Sequence, residues 1–164
     1  MQTKKIIKIL AINPGTRYIG FAVFYGPELR DWGTKVVKGS WSAKKKEKLI
    51  NIVQYLIEQH QHDAIALKKL HPSRSSKPLD SFIIAIKLIT EVTGSPIYEY
   101  PIRYLEACFS PGKPINKRQL AEQLARRYPV LHHELQKEKV SHYYIRMIEA
   151  VAIGTACSKQ LDRS

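Results

Sequence analysis

Residues 5–25, KIIKILAINPGTRYIGFAVFY, decide the fold of this chain. Two arms rich in β-branched and aromatic residues flank a turn at Asn13–Thr16, where a proline fixes one backbone angle and a glycine leaves the next one free. The pattern predicts a β-hairpin whose second strand begins at Tyr18. Residues 6–12 are nearly all apolar, which is typical of a strand that is covered on both faces and therefore central in its sheet. We expect the polar turn to lie where α/β sheets usually place their chemistry.

The composition is that of a globular protein. The 164 residues suffice for one domain, spanning 1–164, and are too few for two ordinary ones. An apolar fraction of 44% and a charged fraction of 25% argue against disorder. No apolar run reaches the roughly 18 residues of a membrane span, and residues 1–8 lack a signal-peptide pattern, so we expect a cytoplasmic location and no membrane partner. Cys108 and Cys157 are expected to be small buried hydrophobic residues in a reducing compartment.

The charge balance is strongly basic. Lys and Arg number 27 against 14 Asp and Glu, which gives a net charge of +13. A charge of this sign and size favours a polyanionic partner, and nucleic acid is the commonest polyanion in a cell. Composition does not separate DNA from RNA or from an acidic protein.

The remaining pattern alternates helices with strands. After the hairpin, strands are predicted at 31–38, 63–67 and 96–100, and helices at 42–60, 78–93, 101–109, 116–128 and 141–160. Ser42 is a candidate N-cap, Asn116 and Gln119 form a candidate capping box, and residues 129–140 are polar and only partly helical. This order predicts an α/β fold with a mixed five-stranded sheet, three antiparallel strands followed by two parallel ones, flanked by helices.

Three of the predicted helices carry an apolar stripe at helical spacing. In helix 42–60 the stripe comprises Leu49, Ile50, Ile52, Val53, Leu56 and Ile57. In helix 78–93 the stripe comprises Phe82, Ile83, Ile86, Leu88 and Ile89. The last helix has a stripe at Ile145, Ile148, Ala152 and Ala156. No further apolar face in the sequence demands a second subunit.

The hairpin carries a family resemblance. Residues 9–24, ILAINPGTRYIGFAVF, resemble the opening of the Holliday junction resolvase (RuvC) family of the RNase H-like superfamily, whose first strand ends in Asp-Pro-Gly-Ser/Thr. Residues 143–156 resemble the family's last helix. The resemblance implies an RNase H-like fold, a homodimer, and four carboxylates that bind two divalent cations to cut DNA.

The resemblance also identifies the four positions of that carboxylate set, which here hold Asn13, Lys68, Arg146 and Glu149. One positive charge each from the lysine and the arginine against the single glutamate leaves about +1, whereas four carboxylates would carry −4. Mg²⁺ is held mainly by carboxylates and phosphate, and a nearby ammonium or guanidinium opposes a dication. We therefore expect no metal cofactor and no two-metal catalysis.

Two interpretations of the basic replacements remain open. Lys68 and Arg146 can hold directly the phosphate that metal ions would have contacted. Alternatively, Arg146 and Glu149, three residues apart on one helical face, simply pair with each other. The two interpretations are compatible if the pair orients the arginine toward the groove.

Further basic residues extend the candidate surface. The Thr16 turn can bind an anion or be an ordinary turn, and each cluster of lysines and arginines can contact phosphate or be a solvated face. Tyr18, Tyr143 and Tyr144 can stack on unpaired bases or pack as ordinary aromatic residues. The full candidate nucleic-acid-binding set is Thr16, Arg17, Lys44, Lys45, Lys46, Lys68, Lys69, Arg74, Lys77, Lys117, Arg118 and Arg146.

The sequence therefore favours a RuvC-like protein that binds branched or structured nucleic acid, DNA rather than RNA, without cutting it. An alternative is an active nuclease that uses Mg²⁺ with Glu149, Glu91 or other acidic residues. A third hypothesis is a structural subunit that pairs with another chain.

Overall fold

The computed structural model of the protein describes residues 5–136 and 142–163, and its five strands form one mixed sheet. The strands are β1 (Lys8–Asn13), β2 (Tyr18–Tyr25), β3 (Glu28–Val36), β4 (Ala64–Lys69) and β5 (Ile97–Pro101), in the order β3-β2-β1-β4-β5. β1 to β3 are antiparallel, whereas β4 runs parallel to β1 and β5 parallel to β4. The predicted α/β fold class is confirmed, and β1 is the central strand.

Within the described residues, six helices flank the sheet: α1 (Ala43–Gln59), α2 (Lys77–Thr93), α3 (Ile102–Phe109), α4 (Lys117–Arg127), α5 (His132–Gln136) and α6 (His142–Arg163). Short 3₁₀ turns occur at Pro72–Arg74 and Pro129–Leu131. The Ser42 hydroxyl caps α1 by accepting from the Lys45 amide at 3.0 Å, and the Asn116–Gln119 capping box begins α4, as predicted. The end of the predicted polar segment, residues 137–140, and the predicted start of the last helix at Ser141 lie outside the described residues.

The boundaries of β3 and β4 differ from the prediction, and β3 also ends at Val36, two residues before the predicted end. β3 begins at Glu28, three residues before the predicted start. A bulge where β3 pairs with Val23 and Phe24 shifts the register. The shift interrupts the alternation of inward- and outward-facing residues, so the sequence pattern of a strand is not visible in this segment. β4 continues through Lys68 and Lys69, which were predicted to follow the strand, because both pair in register with β5.

Strand alternation divides the core into two layers. On β1, Ile9 and Ala11 pack beneath α6, whereas Leu10 and Ile12 pack on the opposite face against α1 and α2. Since successive side chains alternate, Asn13 extends the Ile9 and Ala11 row on the α6 face. The same alternation on β4 puts Lys68 on the α6 face with Ala66.

Helix α6 is buried around its whole circumference from Met147 to Cys157, not along one stripe as predicted. It lies between the sheet and the pair α3 and α4, so no side of this stretch meets solvent. Two glycines allow the close approach: a Cβ at Gly20 would overlap the Arg146 backbone carbonyl, and one at Gly154 would overlap the Phe24 ring. The helix backbone is thereby held directly against β2.

The carboxyl ends of β1, β3, β4 and β5 lie along one edge of the sheet, called here the carboxyl edge. Helices α1 and α2 follow β3 and β4, so both begin at this edge, and α6 begins beside Thr34 near the end of β3. Helix N-termini carry partial positive charge. The backbone therefore makes this edge attractive to anions before any side chain is considered.

Helix α2 leaves an apolar stripe in solvent, contrary to the expectation of no surplus apolar face. Ile84, Leu88 and Val92 are 59%, 58% and 90% exposed. Their spacing of four residues places them along one outward line, while Phe82 and Ile86 face the core. Leu88 was predicted to share the stripe of the core residues and lies on the other side.

Both cysteines are free thiols, with Cys157 buried as expected and Cys108 only half-buried. No helix within residues 5–136 and 142–163 has the length and apolar character needed to cross a bilayer.

Candidate nucleic-acid interface

The four positions identified by the resemblance meet at the carboxyl edge. Asn13 ends β1 and Lys68 lies near the end of β4, and the two strands are neighbours. Arg146 and Glu149 lie one turn apart in the first half of α6, which crosses over these strand ends. The structure thus brings together residues far apart in sequence, while their functional roles remain predictions.

Glu149 is the centre of the cluster. Its carboxylate is buried, with 4% of the side chain exposed, and lies 2.5 Å from Lys68 Nζ through Oε2. The Lys117 ammonium, from the first turn of α4, donates to Oε1 at 3.0 Å. The Lys68 side chain is 14% exposed and that of Lys117 is 41% exposed. The buried carboxylate of Glu149 is therefore contacted by an inner lysine, the mostly buried Lys68, and by an outer lysine, the more exposed Lys117.

Arg146 does not form the ion pair with Glu149 that the second of the two interpretations expects. Its guanidinium instead donates to the Pro14 carbonyl at 3.3 Å, and its backbone carbonyl accepts from the Asn13 amide at 3.2 Å. A Cβ at Gly15 would lie 3.0 Å from the guanidinium carbon and 2.5 Å from the Tyr18 carbonyl. The hairpin turn therefore packs between Arg146 and the start of β2. Because Gly15 has no side chain, the arginine can approach the turn closely.

Burial and charge shift the pKa values of Glu149, Lys68 and Arg146. Burial alone would raise the pKa of Glu149, but the charges of Lys68 and Lys117 and their hydrogen bonds outweigh it and hold this pKa below its ordinary value. Burial lowers the pKa of Lys68, and Glu149 opposes that effect. Burial likewise lowers the pKa of Arg146, whose guanidinium still stays protonated in any physiological range. Three cations and one anion leave a surplus of two positive charges.

The side-chain oxygen of Asn13 is a buried hydrogen-bond acceptor that no donor in the described residues reaches. The residue is fully buried, and its Oδ1 finds no hydrogen-bond partner among the described residues. Within that same part of the chain, no three His, Cys, Asp or Glu side chains gather in a group that could hold a metal ion. The site consists of one amide, one carboxylate and three cations.

Lys45 is the one predicted nucleic-acid-binding residue that the structure removes from the surface. It is only 8% exposed, and its ammonium donates to the Gly39 carbonyl at 2.6 Å. The residue lies one turn before the buried Leu49, so its side chain points inward and closes the loop that precedes α1. The Lys45 ammonium is therefore engaged by a backbone carbonyl and does not face a ligand at the surface.

The other predicted nucleic-acid-binding residues, all basic except Thr16, border the carboxyl edge. Arg17, Lys44, Lys69, Arg74, Lys77 and Arg118 are exposed, and Thr16 and Lys46 are half-buried. Lys46 and Lys77, from the first turns of α1 and α2, line one shallow cleft together with Asp80. Arg118 pairs with Glu122 at 3.5 Å, as expected of a solvated helix face. These side chains widen the basic surface without entering the buried cluster.

Three tyrosines border the cluster on the side of β2. The Tyr18 and Tyr143 rings meet edge to face with centroids 6.2 Å apart, and Tyr143 meets Tyr144 in the same manner at 5.4 Å. The guanidinium of Arg17 lies 5.4 Å from the centre of the Tyr18 ring. Tyr144 packs against the hydrophobic core, whereas Tyr143 is 40% exposed.

Sequence reasoning placed Lys117 on the surface but missed its contact with Glu149. The capping box at Asn116 was a usable signal for the start of α4, and so for a first-turn position of this lysine. The partner lies 32 residues along the chain on another helix, and no local pattern connects the two.

No known family model matches the chain, and no curated protein matches its sequence significantly. Solved structures match its fold. RuvC of Thermus thermophilus in complex with a Holliday junction substrate has a TM-score of 0.72 at 15% identity, over 95% of this chain and 96% of that one. The yeast mitochondrial Holliday junction resolvase Ydc2 has a TM-score of 0.68 at 11% identity, over 99% and 83% of the two chains.

The Fowlpox virus resolvase, solved with its substrate Holliday junction DNA, has a TM-score of 0.64 at 13% identity, over 94% of this chain and 99% of that one. At these identities the similarity establishes the fold. The chain has the RNase H-like fold of the RuvC-like resolvases.

Proposed function

We propose that this protein binds the phosphodiester backbone of branched or structured DNA at the carboxyl edge and leaves the strands intact. The fold supports the choice of ligand, since two structures with the same fold are complexes with Holliday junction DNA. The net charge of +13 supports a polyanion of some kind.

The single observation that carries the proposal is the environment of Glu149. The only carboxylate of the cluster is already engaged by two ammonium groups, at 2.5 Å and 3.0 Å. A divalent cation would have to displace both lysines and then rest beside a buried guanidinium. The residues present therefore do not fit a two-metal centre, and no step of the proposed function uses one.

The same arrangement suits a phosphate. Lys117 is the outer, partly exposed lysine, and Arg146 can present a planar pair of donors to phosphate oxygens. Glu149 and the Pro14 carbonyl hold these cations in place before a ligand arrives. The N-termini of α1 and α2 add partial positive charge along the same edge.

The test is binding of a labelled four-way DNA junction by the purified protein, measured by fluorescence anisotropy. We expect the logarithm of the affinity to fall linearly with the logarithm of salt concentration between about 50 and 200 mM, with a slope near −0.9 for each phosphate neutralised. Replacing Mg²⁺ with EDTA at constant ionic strength should leave the affinity unchanged. The same junction built from RNA tests the preference for DNA.

A matched pair of variants locates the surface. Lys117→Ala should weaken binding and reduce the magnitude of the salt slope by about 1. Lys5→Ala removes the same charge from a lysine that is 80% exposed beside Asp63, at the opposite end of β1, and should leave both quantities unchanged.

Three results would overturn the proposal. Affinity that ignores salt would exclude phosphate contacts. Mg²⁺- or Mn²⁺-dependent cleavage of the junction, abolished by Glu149→Gln, would establish the alternative of an active nuclease. Copurification with a second chain, together with no retention of DNA by the protein alone, would favour a structural subunit.

A homodimer is the second part of the proposal, and the α2 stripe supports it. Ile84, Leu88 and Val92 form an exposed apolar line that a second copy of the chain can cover. Sedimentation of the wild type should give a dimer, and Leu88→Glu should give a folded monomer. Ser95→Glu, a half-buried position beyond the stripe, serves as the control. A monomeric wild type at tens of micromolar would refute the dimer.

A further inference from the structure

We infer that Tyr143 and Tyr18 form a stacking site for a base that has left its helical stack, beside the phosphate held by Arg146. This inference rests on the proposed function and specifies its substrate class: DNA with at least one unpaired nucleotide, as at an open branch point or in a single strand. The pair of rings, together with Arg17, is called here the tyrosine shelf.

The position of the shelf is fixed by two elements of the fold. Tyr18 begins β2 and, by strand alternation with Ala22 and Phe24, lies on the α6 face of the sheet. Tyr143 precedes Arg146 by three residues on α6, so both project from one side of the helix. The Thr34 hydroxyl donates to the Tyr143 carbonyl at 2.9 Å and ties this turn of the helix to β3.

The shelf adjoins the cationic cluster. Gly15 lies between them, since a Cβ there would approach both the Tyr18 carbonyl and the Arg146 guanidinium. A nucleotide whose phosphate contacts Arg146 therefore has its sugar and base within reach of the tyrosine shelf.

The exposure of Tyr143 argues against a core role for this ring. Its neighbour Tyr144 packs against the hydrophobic core, which is the ordinary use of an aromatic residue at the start of a buried helix. Tyr143 is 40% exposed although it contacts two other tyrosine rings. The edge-to-face contacts fix the ring while part of it stays in solvent, so it is ordered before a base arrives.

The chemistry of the shelf suits a base of any identity. Each base has a π face that can stack on tyrosine, and the guanidinium over Tyr18 adds a cation to the same surface. Bases inside a continuous duplex are already stacked and paired, so they cannot use the shelf without unstacking. The shelf therefore discriminates by DNA structure and not by sequence.

The test uses a four-way junction with unpaired thymines at the branch and a fully paired duplex of equal length and charge. Tyr143→Leu should weaken junction binding about 5- to 140-fold and leave duplex binding unchanged. Tyr143→Phe retains the ring and should bind as the wild type does. Tyr55→Leu, which removes a tyrosine 54% exposed on α1, is the matched control and should have no effect.

A second measurement needs no variant. A 2-aminopurine placed at the unpaired position should lose fluorescence when the wild-type protein binds, because stacking on an aromatic ring quenches it. Unchanged or increased fluorescence in a saturated complex would overturn the inference, as would a Tyr143→Leu variant that binds the junction with wild-type affinity.

The outcomes separate this inference from the proposed function. If the protein binds with a steep salt slope and loses affinity in Lys117→Ala but not in Tyr143→Leu, the tyrosine shelf alone is refuted. If the protein binds neither DNA at any salt concentration, both conclusions fail together.

Discussion

The Lys68 ammonium lies 2.5 Å from Glu149 Oε2; the glutamate side chain is buried and the lysine side chain is mostly buried, with 4% and 14% of their surfaces exposed. Removing either charge alone leaves the other with less compensation in a poorly solvated site. Lys117 provides a second contact to the same carboxylate from the solvent side. The pair therefore stabilises the position of the cluster, and its members should respond differently to single and double substitution.

Lys68→Met should lower the free energy of unfolding by about 3 kcal/mol, the lower end of the range for a broken buried pair, because Lys117 still compensates Glu149 in part. The double variant Lys68→Met, Glu149→Met replaces the pair with apolar groups of similar volume and should recover most of that loss. Urea unfolding of the wild type, Lys68→Met, Glu149→Met and the double variant checks this. A double variant as unstable as the sum of the single substitutions would contradict the prediction.

The stability of the protein should fall in acid through Glu149. Its pKa in the folded state is held below the ordinary value of 4.5, chiefly by the two lysines acting against burial. The contribution is therefore fully present above the unfolded-state pKa and is lost as the pH falls through the folded-state pKa. Each unit of difference between the two pKa values contributes about 1.4 kcal/mol.

Urea unfolding at pH 7, 5, 4 and 3 measures this effect as a difference between the wild type and Glu149→Gln. The wild type should lose more stability than the variant over this range, since the variant lacks the titrating group. Parallel curves for the two proteins would show that Glu149 titrates alike in the folded and unfolded states.

The fold class was predictable because local signals agree with the global arrangement. The hairpin at 5–25 and the alternation of strands and helices both indicate a mixed sheet, and alternation along β1 is sufficient to put Asn13 on the α6 face. The same reasoning could have found two features that were missed. Lys45 precedes Leu49 by one helical turn, and Ile84, Leu88 and Val92 recur at intervals of four.

The contacts within the site could not be predicted. Arg146 and Glu149 have a spacing that predicts an ion pair, but each finds a better partner on another element: the Pro14 carbonyl for the arginine and two lysines for the glutamate. Helical spacing gives the neighbours along one helix. It does not say which strand end or helix start approaches from outside, and that approach determines the partner here.

Lys45→Met should affect stability and not DNA binding. The substitution removes the donor to the Gly39 carbonyl, keeps the apolar stem, and should cost about 1–2 kcal/mol of unfolding free energy. Lys44→Met, at the exposed neighbouring position, should change stability by less than about 0.5 kcal/mol. In the junction-binding assay we expect the salt slope to weaken by about 1 for Lys44→Met and to stay unchanged for Lys45→Met. The reverse pattern would show that the lysine buried in the free protein is released on binding.

Gly20→Ala should damage both the fold and the interface, because the added Cβ would overlap the Arg146 backbone carbonyl, which cannot rotate away as a side chain could. Helix α6 would have to move off β2, and the hydrogen bond between Asn13 and the same carbonyl would lengthen. We expect a loss of about 3 kcal/mol or more in thermal or urea unfolding, and weaker junction binding at temperatures where the variant is still folded. Gly94→Ala is the control: its Cβ meets open space at the end of α2, its positive φ of 77° should cost roughly 1–2 kcal/mol, and its DNA affinity should equal that of the wild type. A Gly20→Ala protein with normal stability and normal affinity would mean that α6 does not need its close contact with β2 to hold Arg146 at the carboxyl edge.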